Sequence, residues 1–233
     1  MNATIEKIKA LNMLTGSINP TIIYNEGWMI KLLVIESMIE KLEIGGIDFD
    51  RFTNKNWSSE ALIASPFVDA KKNREGYTHA DIILGDFEID YSERGEVKKK
   101  ESAEILGIIE AKMGSNLSQS TTNAPDYNQA SRNVCCLAHT TQNTDCETFF
   151  IITAPQKTID KYNFKEQTAQ IKTQIEKRFP LSGIDFDEKI RKKVDECTIA
   201  IISYEEWIEK IINYEVKSLL SVFYEKCKKY NKI

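Results

Sequence analysis

An apolar run, Ile105-Leu106-Gly107-Ile108-Ile109, ends in Glu110-Ala111-Lys112-Met113 and so delivers a carboxylate and an ammonium two residues apart. On an extended strand side chains alternate faces, which puts Glu110 and Lys112 on one side and Ile109, Ala111 and Met113 on the other. Taking two charges out of water at the end of a core strand costs on the order of several kcal/mol per ion unless they are paired or bind a metal. Upstream, Asp81 stands at the entrance of a second apolar run, Ala80-Asp81-Ile82-Ile83-Leu84. Two strand-borne carboxylates and a lysine suit metal-assisted hydrolysis of a phosphodiester.

The remaining metal ligands narrow the ion. The chain has two histidines, His79 and His139, and five cysteines at positions 135, 136, 146, 197 and 227 that form no CxxC pair. Neither a zinc site, a histidine-rich site nor a disulfide framework is expected, and the thiols read as reduced and mostly buried. Oxygen ligands remain, which favour magnesium, manganese or calcium.

A net charge of −4 argues against a protein that coats nucleic acid nonspecifically, yet leaves room for a local basic patch. Lys98-Lys99-Lys100 and Arg191-Lys192-Lys193 are candidates, and each also reads as solvated surface charge. No apolar run reaches the roughly 18 residues of a membrane span. The opening residues, Met1-Asn2-Ala3-Thr4-Ile5-Glu6-Lys7, lack the basic and apolar regions of a signal peptide, so a cytoplasmic protein with no membrane contact is expected.

These residues need elements to hold them. Residues 24–42 have apolar positions at helical spacing and predict a helix ended by Gly45-Gly46. Extended runs are expected at 61–64, 80–89, 105–113, 149–153 and 198–202, with charged or polar connections over 91–102 and 114–125. Further helices are expected over 126–138, 165–178, 188–196 and 205–229. That order predicts an α/β protein, a mixed sheet with helices on both faces, in a single domain over 1–233. The core would span about 24–203, followed by the C-terminal helix. The near-repeat Gly46-Ile47-Asp48-Phe49-Asp50 and Gly183-Ile184-Asp185-Phe186-Asp187 reads as turn and helix-cap chemistry rather than duplication.

The tripeptide Glu-x-Lys proves little alone, because it also occurs as Glu96-Val97-Lys98 in a charged loop and Glu215-Val216-Lys217 on a helix. Only Glu110-Ala111-Lys112 ends an apolar strand that follows another strand bearing an acid. In that context Asp81 and Glu110-x-Lys112 resemble the signature of the PD-(D/E)xK nuclease superfamily, over a core of about 24–153 with the strand near Ile199 in keeping. Ala80 stands where many members have proline, a position that supplies no ligand.

The resemblance implies a three-layer, restriction-endonuclease-like fold. It implies that Asp81 and Glu110 bind one or two Mg²⁺ (or Mn²⁺) ions, with the carbonyl of Ala111 as a further ligand. Lys112 would orient or activate the attacking water and stabilise developing charge. Many members add an acid on the helix before the core, a role for Glu26, with Glu36 as its competitor; Glu26 reads equally as a first-turn acid complementing the helix dipole. Gln129 resembles the polar residue some members place on the helix after the Glu-x-Lys strand, or is a solvated helix glutamine. His79, two residues before Asp81, either touches a phosphate or is simply hydrogen-bonded near the surface. The cysteines do not match the one-early, three-late pattern of cluster-binding members, so no iron–sulfur cluster is expected.

The expected function is therefore metal-dependent hydrolysis of phosphodiesters in nucleic acid, with DNA the expected substrate. The alternative is a catalytically inactive nucleic-acid-binding or assembly module on the same fold. Its motive is the apolar stripe Trp207, Ile208, Ile211, Ile212, Leu219, Leu220, Val222 and Phe223, which would pack in the core or pair two copies as a homodimer.

Overall fold

The computed structural model describes residues 2–92, 94–118, 124 and 126–233. Helix α1 (Ala3–Met13) starts at Asn2, whose side chain accepts the N–H groups of Thr4 and Ile5. A single turn, α2 (Pro20–Ile23), leads into α3 (Glu26–Glu40), which Asn25 caps and Lys41 ends in the left-handed region. Gly45 and Gly46, both at positive φ, close a small hairpin of β1 (Glu43–Ile44) and β2 (Ile47–Asp48).

The main sheet follows: β3 (Asn56–Ile63), β4 (Thr78–Gly85), β5 (Phe87–Asp90), β6 (Glu96–Lys99) and β7 (Ile105–Ala111). Helix α4 (Gln129–Thr141) crosses to β8 (Glu147–Ala154). Four helices, α5 (Gln156–Tyr162), α6 (Phe164–Ala169), α7 (Ile171–Ser182) and α8 (Glu188–Glu196), connect β8 to β9 (Thr198–Ser203). The chain finishes with α9 (Tyr204–Lys210) and α10 (Tyr214–Asn231).

The seven strands lie in the order β5-β6-β3-β4-β7-β8-β9. Antiparallel pairing joins β3 to β4 and β4 to β7, while β7–β8 and β8–β9 are parallel, so the sheet is mixed. Parallel neighbours need crossovers, which the helices supply. Alternation along β7 divides the core. Ile105, Ile109 and Ala111 join a cluster with α1, α3, α9 and α10, whereas Leu106 and Ile108 join one with α4, α7 and α8. Helices thus cover both faces, and β7, buried along its whole length, runs through the centre.

Several boundaries differ from those expected. The run 80–89 is broken at Gly85, whose φ of 130° opens a corner between β4 and β5. The charged connection 91–102 contains β6. Helices α1 and α5 carry no strong apolar period and are missed, and the stretch 165–178 divides between α6 and α7 at Gln170.

The helix expected over 205–229 is two helices. The Glu40 carboxylate takes the N–H groups of Ile212 and Asn213 at 2.6 and 2.7 Å, and Asn213 then caps α10. Of the apolar stripe, Trp207, Ile208, Ile211, Leu220 and Phe223 are core residues packed with α3, leaving Ile212 and Val222 exposed. In the near-repeat, Asp48 caps a 3₁₀ turn and Asp187 caps α8. Of the loop expected at 114–125, residues 119–123 and 125 lie outside the described residues. No helix among the described residues is long and apolar enough to cross a membrane.

Candidate active site

Strands β4 and β7 pair from Gly85↔Leu106 to Ile82↔Ile109 and then part. One step further along this register, Asp81 faces Glu110. On its other edge β7 stays paired with β8 as far as Ala111↔Thr153, and the Lys112 N–H still donates to the Thr153 carbonyl at 2.9 Å. The end of β7 is therefore fixed on one side and open on the other. Asp81 enters the opening, where its Oδ2 accepts the Ala111 N–H at 2.8 Å. In an extended residue the N–H and C=O leave from the same strand edge, so the Ala111 carbonyl also faces the Asp81 side.

Glu110 is fully buried beneath α4 and every partner is close. Its Oε1 accepts Lys112 Nζ at 2.5 Å and Gln129 Nε2 at 2.7 Å, and its Oε2 accepts Asn133 Nδ2 at 2.9 Å. Burial first, and the Asp81 carboxylate second, push Glu110 up to about 8 against the pull of Lys112. Burial alone would lower Lys112, but Glu110, Asp81 and Glu26 outweigh it and hold the ammonium above its ordinary range. The lysine side chain is only 10% exposed.

Glu26, the first residue of α3, comes in from the other face of the sheet. Its Oε2 accepts the Met113 N–H at 2.9 Å, so it seats the segment immediately after Lys112. Burial raises its carboxyl, with the Met113 N–H and Lys112 opposing and Asp81 and Glu60 adding to the rise. The structure thus brings together Asp81, Glu110, Lys112, Glu26 and Gln129. Glu36 does not join them: it is buried at the α1–α3 junction, bonded to Asn2 at 3.0 Å. His79 is exposed, and its imidazole has no hydrogen-bond or ion-pair partner among the described residues.

Two contributors escape the sequence. Asn133 sits four residues after Gln129, one turn along α4, and also accepts from Thr78 Oγ1 at 3.3 Å. Its signal was there: two amides at helical spacing on a face otherwise made of Ala130, Val134 and Leu137. Glu60 lies on β3 beside Asp81, between the pairs Ser59↔Ile82 and Ala61↔Ala80. Its φ of +55° is left-handed, strained for a non-glycine residue, and nothing in sequence announces it.

Three of the six basic residues in the two runs are ion-paired among the described residues. Lys98 pairs with Glu96, Arg191 with Glu176 and Glu188, and Lys192 with Glu196, while Lys193 is buried and donates to the Cys146 carbonyl. All five cysteines are free, and four of them are buried. No known protein family, curated protein or solved structure matches this chain.

Proposed function

We propose that the chain is a divalent-metal-dependent nuclease of the PD-(D/E)xK superfamily, hydrolysing phosphodiester bonds in DNA on a restriction-endonuclease-like fold. The observation that carries the reading is the meeting of Asp81, Glu110 and Lys112 where β4 and β7 part. A mixed sheet covered by helices on both faces is compatible with that fold.

The donor set suits a hard cation such as Mg²⁺ or Mn²⁺: two carboxylates, of Asp81 and Glu110, and the Ala111 carbonyl, all oxygen. Like charge crowds at Glu110, whose carboxyl is raised by burial and by Asp81, and a cation would relieve that crowding. Among the described residues no three His, Cys, Asp or Glu side chains form a metal-holding group. The proposed set contains two such side chains and completes itself with backbone. When bound, the ion lowers the pKa of a water and offsets charge on the phosphorus oxygens.

The chain's own residues do the positioning. Gln129 and Asn133 hold the Glu110 carboxylate in one orientation from α4, which avoids reorganisation during reaction. Lys112, tethered by its backbone to β8, offers N–H donors to the attacking water and to the oxygens where charge develops. Glu26 keeps the Lys112–Met113 backbone in place.

Cleavage of linear, circular, single-stranded and branched DNA in Mg²⁺ or Mn²⁺ tests the reading. Wild type should cut at least one of these, and Asp81→Ala and Lys112→Ala should abolish cutting. Equal background from all three proteins on every substrate overturns it.

A second reading, an inactive nucleic-acid-binding module, draws on the closed network around Glu110. Both of its oxygens are occupied, as in a purely structural ion pair. Calorimetric titration with Mg²⁺ and Mn²⁺ separates the two readings, because only the active site needs to bind the ion.

A further inference from the structure

Beside Glu26 lies a cavity of about 460 Å³ whose walls include Glu26, Met113, Ser115, Lys157, Lys161 and Lys232. Met113 joins the cavity to the site. Its N–H is taken by Glu26, and its carbonyl accepts the hydroxyl of buried Thr158 at 3.3 Å. Helix α5 is therefore tied to the residue that follows Lys112, and the lysines on it are fixed relative to the catalytic strand.

Lys157 and Lys161 are four residues apart on α5 and so share one of its faces. Lys232 comes from the end of α10, where it takes a left-handed backbone conformation. All three are exposed, and none has a carboxylate partner among the described residues. This contrasts with Lys98, Arg191 and Lys192, whose charges are spent on neighbouring acids. In a chain of net charge −4, three ammonium groups against the one carboxylate of Glu26 in the walls leave this cavity a local positive site.

We propose that this cavity is a phosphate-binding subsite. Lys157, Lys161 and Lys232 would hold the sugar-phosphate backbone of a polynucleotide beside the bond placed at Lys112. Phosphates recur along each strand about every 3.4 Å of helix axis. A strand lying across Lys112 would carry its neighbouring phosphates past Met113, within reach of the cavity walls. The inference rests on the nuclease reading for its substrate class, but concerns binding rather than cleavage.

The test is fluorescence anisotropy of a labelled oligonucleotide in chelator, repeated over a salt series. The variant Lys157→Ala/Lys161→Ala/Lys232→Ala should bind at least about tenfold more weakly, and its slope of log affinity against log salt should flatten by about 2 to 3. The matching triple arginine variant should keep wild-type affinity, since it keeps the charge. Turnover of a small chromogenic phosphodiester, too short to reach the cavity, should be equal in all three proteins.

Wild-type affinity and slope in the alanine variant overturn the subsite and leave the nuclease reading intact. Loss of small-diester turnover in that variant also overturns it, because the lysines would then belong to the catalytic group. If wild type binds no oligonucleotide, the subsite falls, while the nuclease reading stands or falls on cleavage in Mg²⁺ or Mn²⁺. If wild type binds but cleaves nothing, weakened binding by the alanine variant still upholds the subsite.

Discussion

The Asp81 carboxylate accepts the Ala111 N–H at 2.8 Å at the point where β4 ceases to pair with β7. A side chain thus completes a ladder that the backbone leaves open. The same act turns Asp81 toward Glu110 and the Ala111 carbonyl. The structural role and the proposed chemical role can be separated by substitution. Asp81→Asn keeps an oxygen for the Ala111 N–H but removes the charge, so its melting temperature should barely move while DNA cleavage in Mg²⁺ falls at least about 100-fold. Asp81→Ala should lose activity and, in addition, about 1 to 3 kcal/mol of stability from the unpaired N–H. An asparagine variant that cuts at the wild-type rate removes Asp81 from the chemistry.

Asn133 bridges Thr78 and Glu110 in a fully buried setting. Asn133→Ala would strip Glu110 Oε2 of its donor and should cost about 1 to 3 kcal/mol in urea denaturation. Asn133→Asp removes the same donor and sets a second acid against the Glu110 carboxyl in a buried setting, and should be worse still. An alanine variant as stable as wild type would show that the bond carries no net weight.

Why Asn133 and Glu60 were hidden, when Asp81, Glu110 and Lys112 were not, is a matter of what each signal depends on. A charge at the end of an apolar strand conflicts with its surroundings, and that conflict is visible in one dimension. Asn133 repeats Gln129 at helical spacing, but only the packing of α4 on β7 gives it a partner. Glu60 depends on a backbone angle. The same contrast holds for the fold. Strands β7, β8 and β9 are continuous apolar runs and could be read directly. The corner at Gly85 and the break before Asn213 depend on contacts remote in sequence, Asp86 with the start of β7 and Glu40 with Ile212.

Asp86 holds that corner. Its carboxylate accepts Lys55 Nζ at 2.7 and 2.9 Å and the N–H groups of Glu104 and Ile105 at 3.0 and 3.3 Å. Burial alone would raise the carboxyl, but Lys55 and the two N–H groups outweigh it and hold it below its ordinary range. The folded chain therefore binds this proton less tightly than the unfolded one. Its stabilisation is complete above the unfolded value of about 3.9 and disappears as pH falls through the lower folded value. Asp86→Asn should cost about 2 kcal/mol at neutral pH. Thermal melts across a pH series should show that gap closing in acid, and a gap independent of pH would mean the carboxylate's charge is not what stabilises the corner.

Gly107 and Phe149 decide how β7 sits against β8. The two residues are register partners, and a Cβ at position 107 would run into the Phe149 ring. Gly107→Ala must push either the ring or the strand, an overpacking cost of about 1 to 3 kcal/mol. Phe149→Leu in the same chain vacates part of that space, so the double variant should recover stability relative to the sum of the singles, a coupling that a double-mutant cycle measures. Activity should be more sensitive than stability. Glu110 lies three residues along β7 and meets Gln129, Asn133 and Lys112 within 2.9 Å. Misplacing a catalytic group by about 1 Å can cost about 100-fold in rate. With Glu110 in the proposed catalytic role, Gly107→Ala should therefore lose more cleavage than its melting temperature suggests, and the added Phe149→Leu should restore both. If stability returns without activity, the strand has settled in a position that Glu110 cannot use.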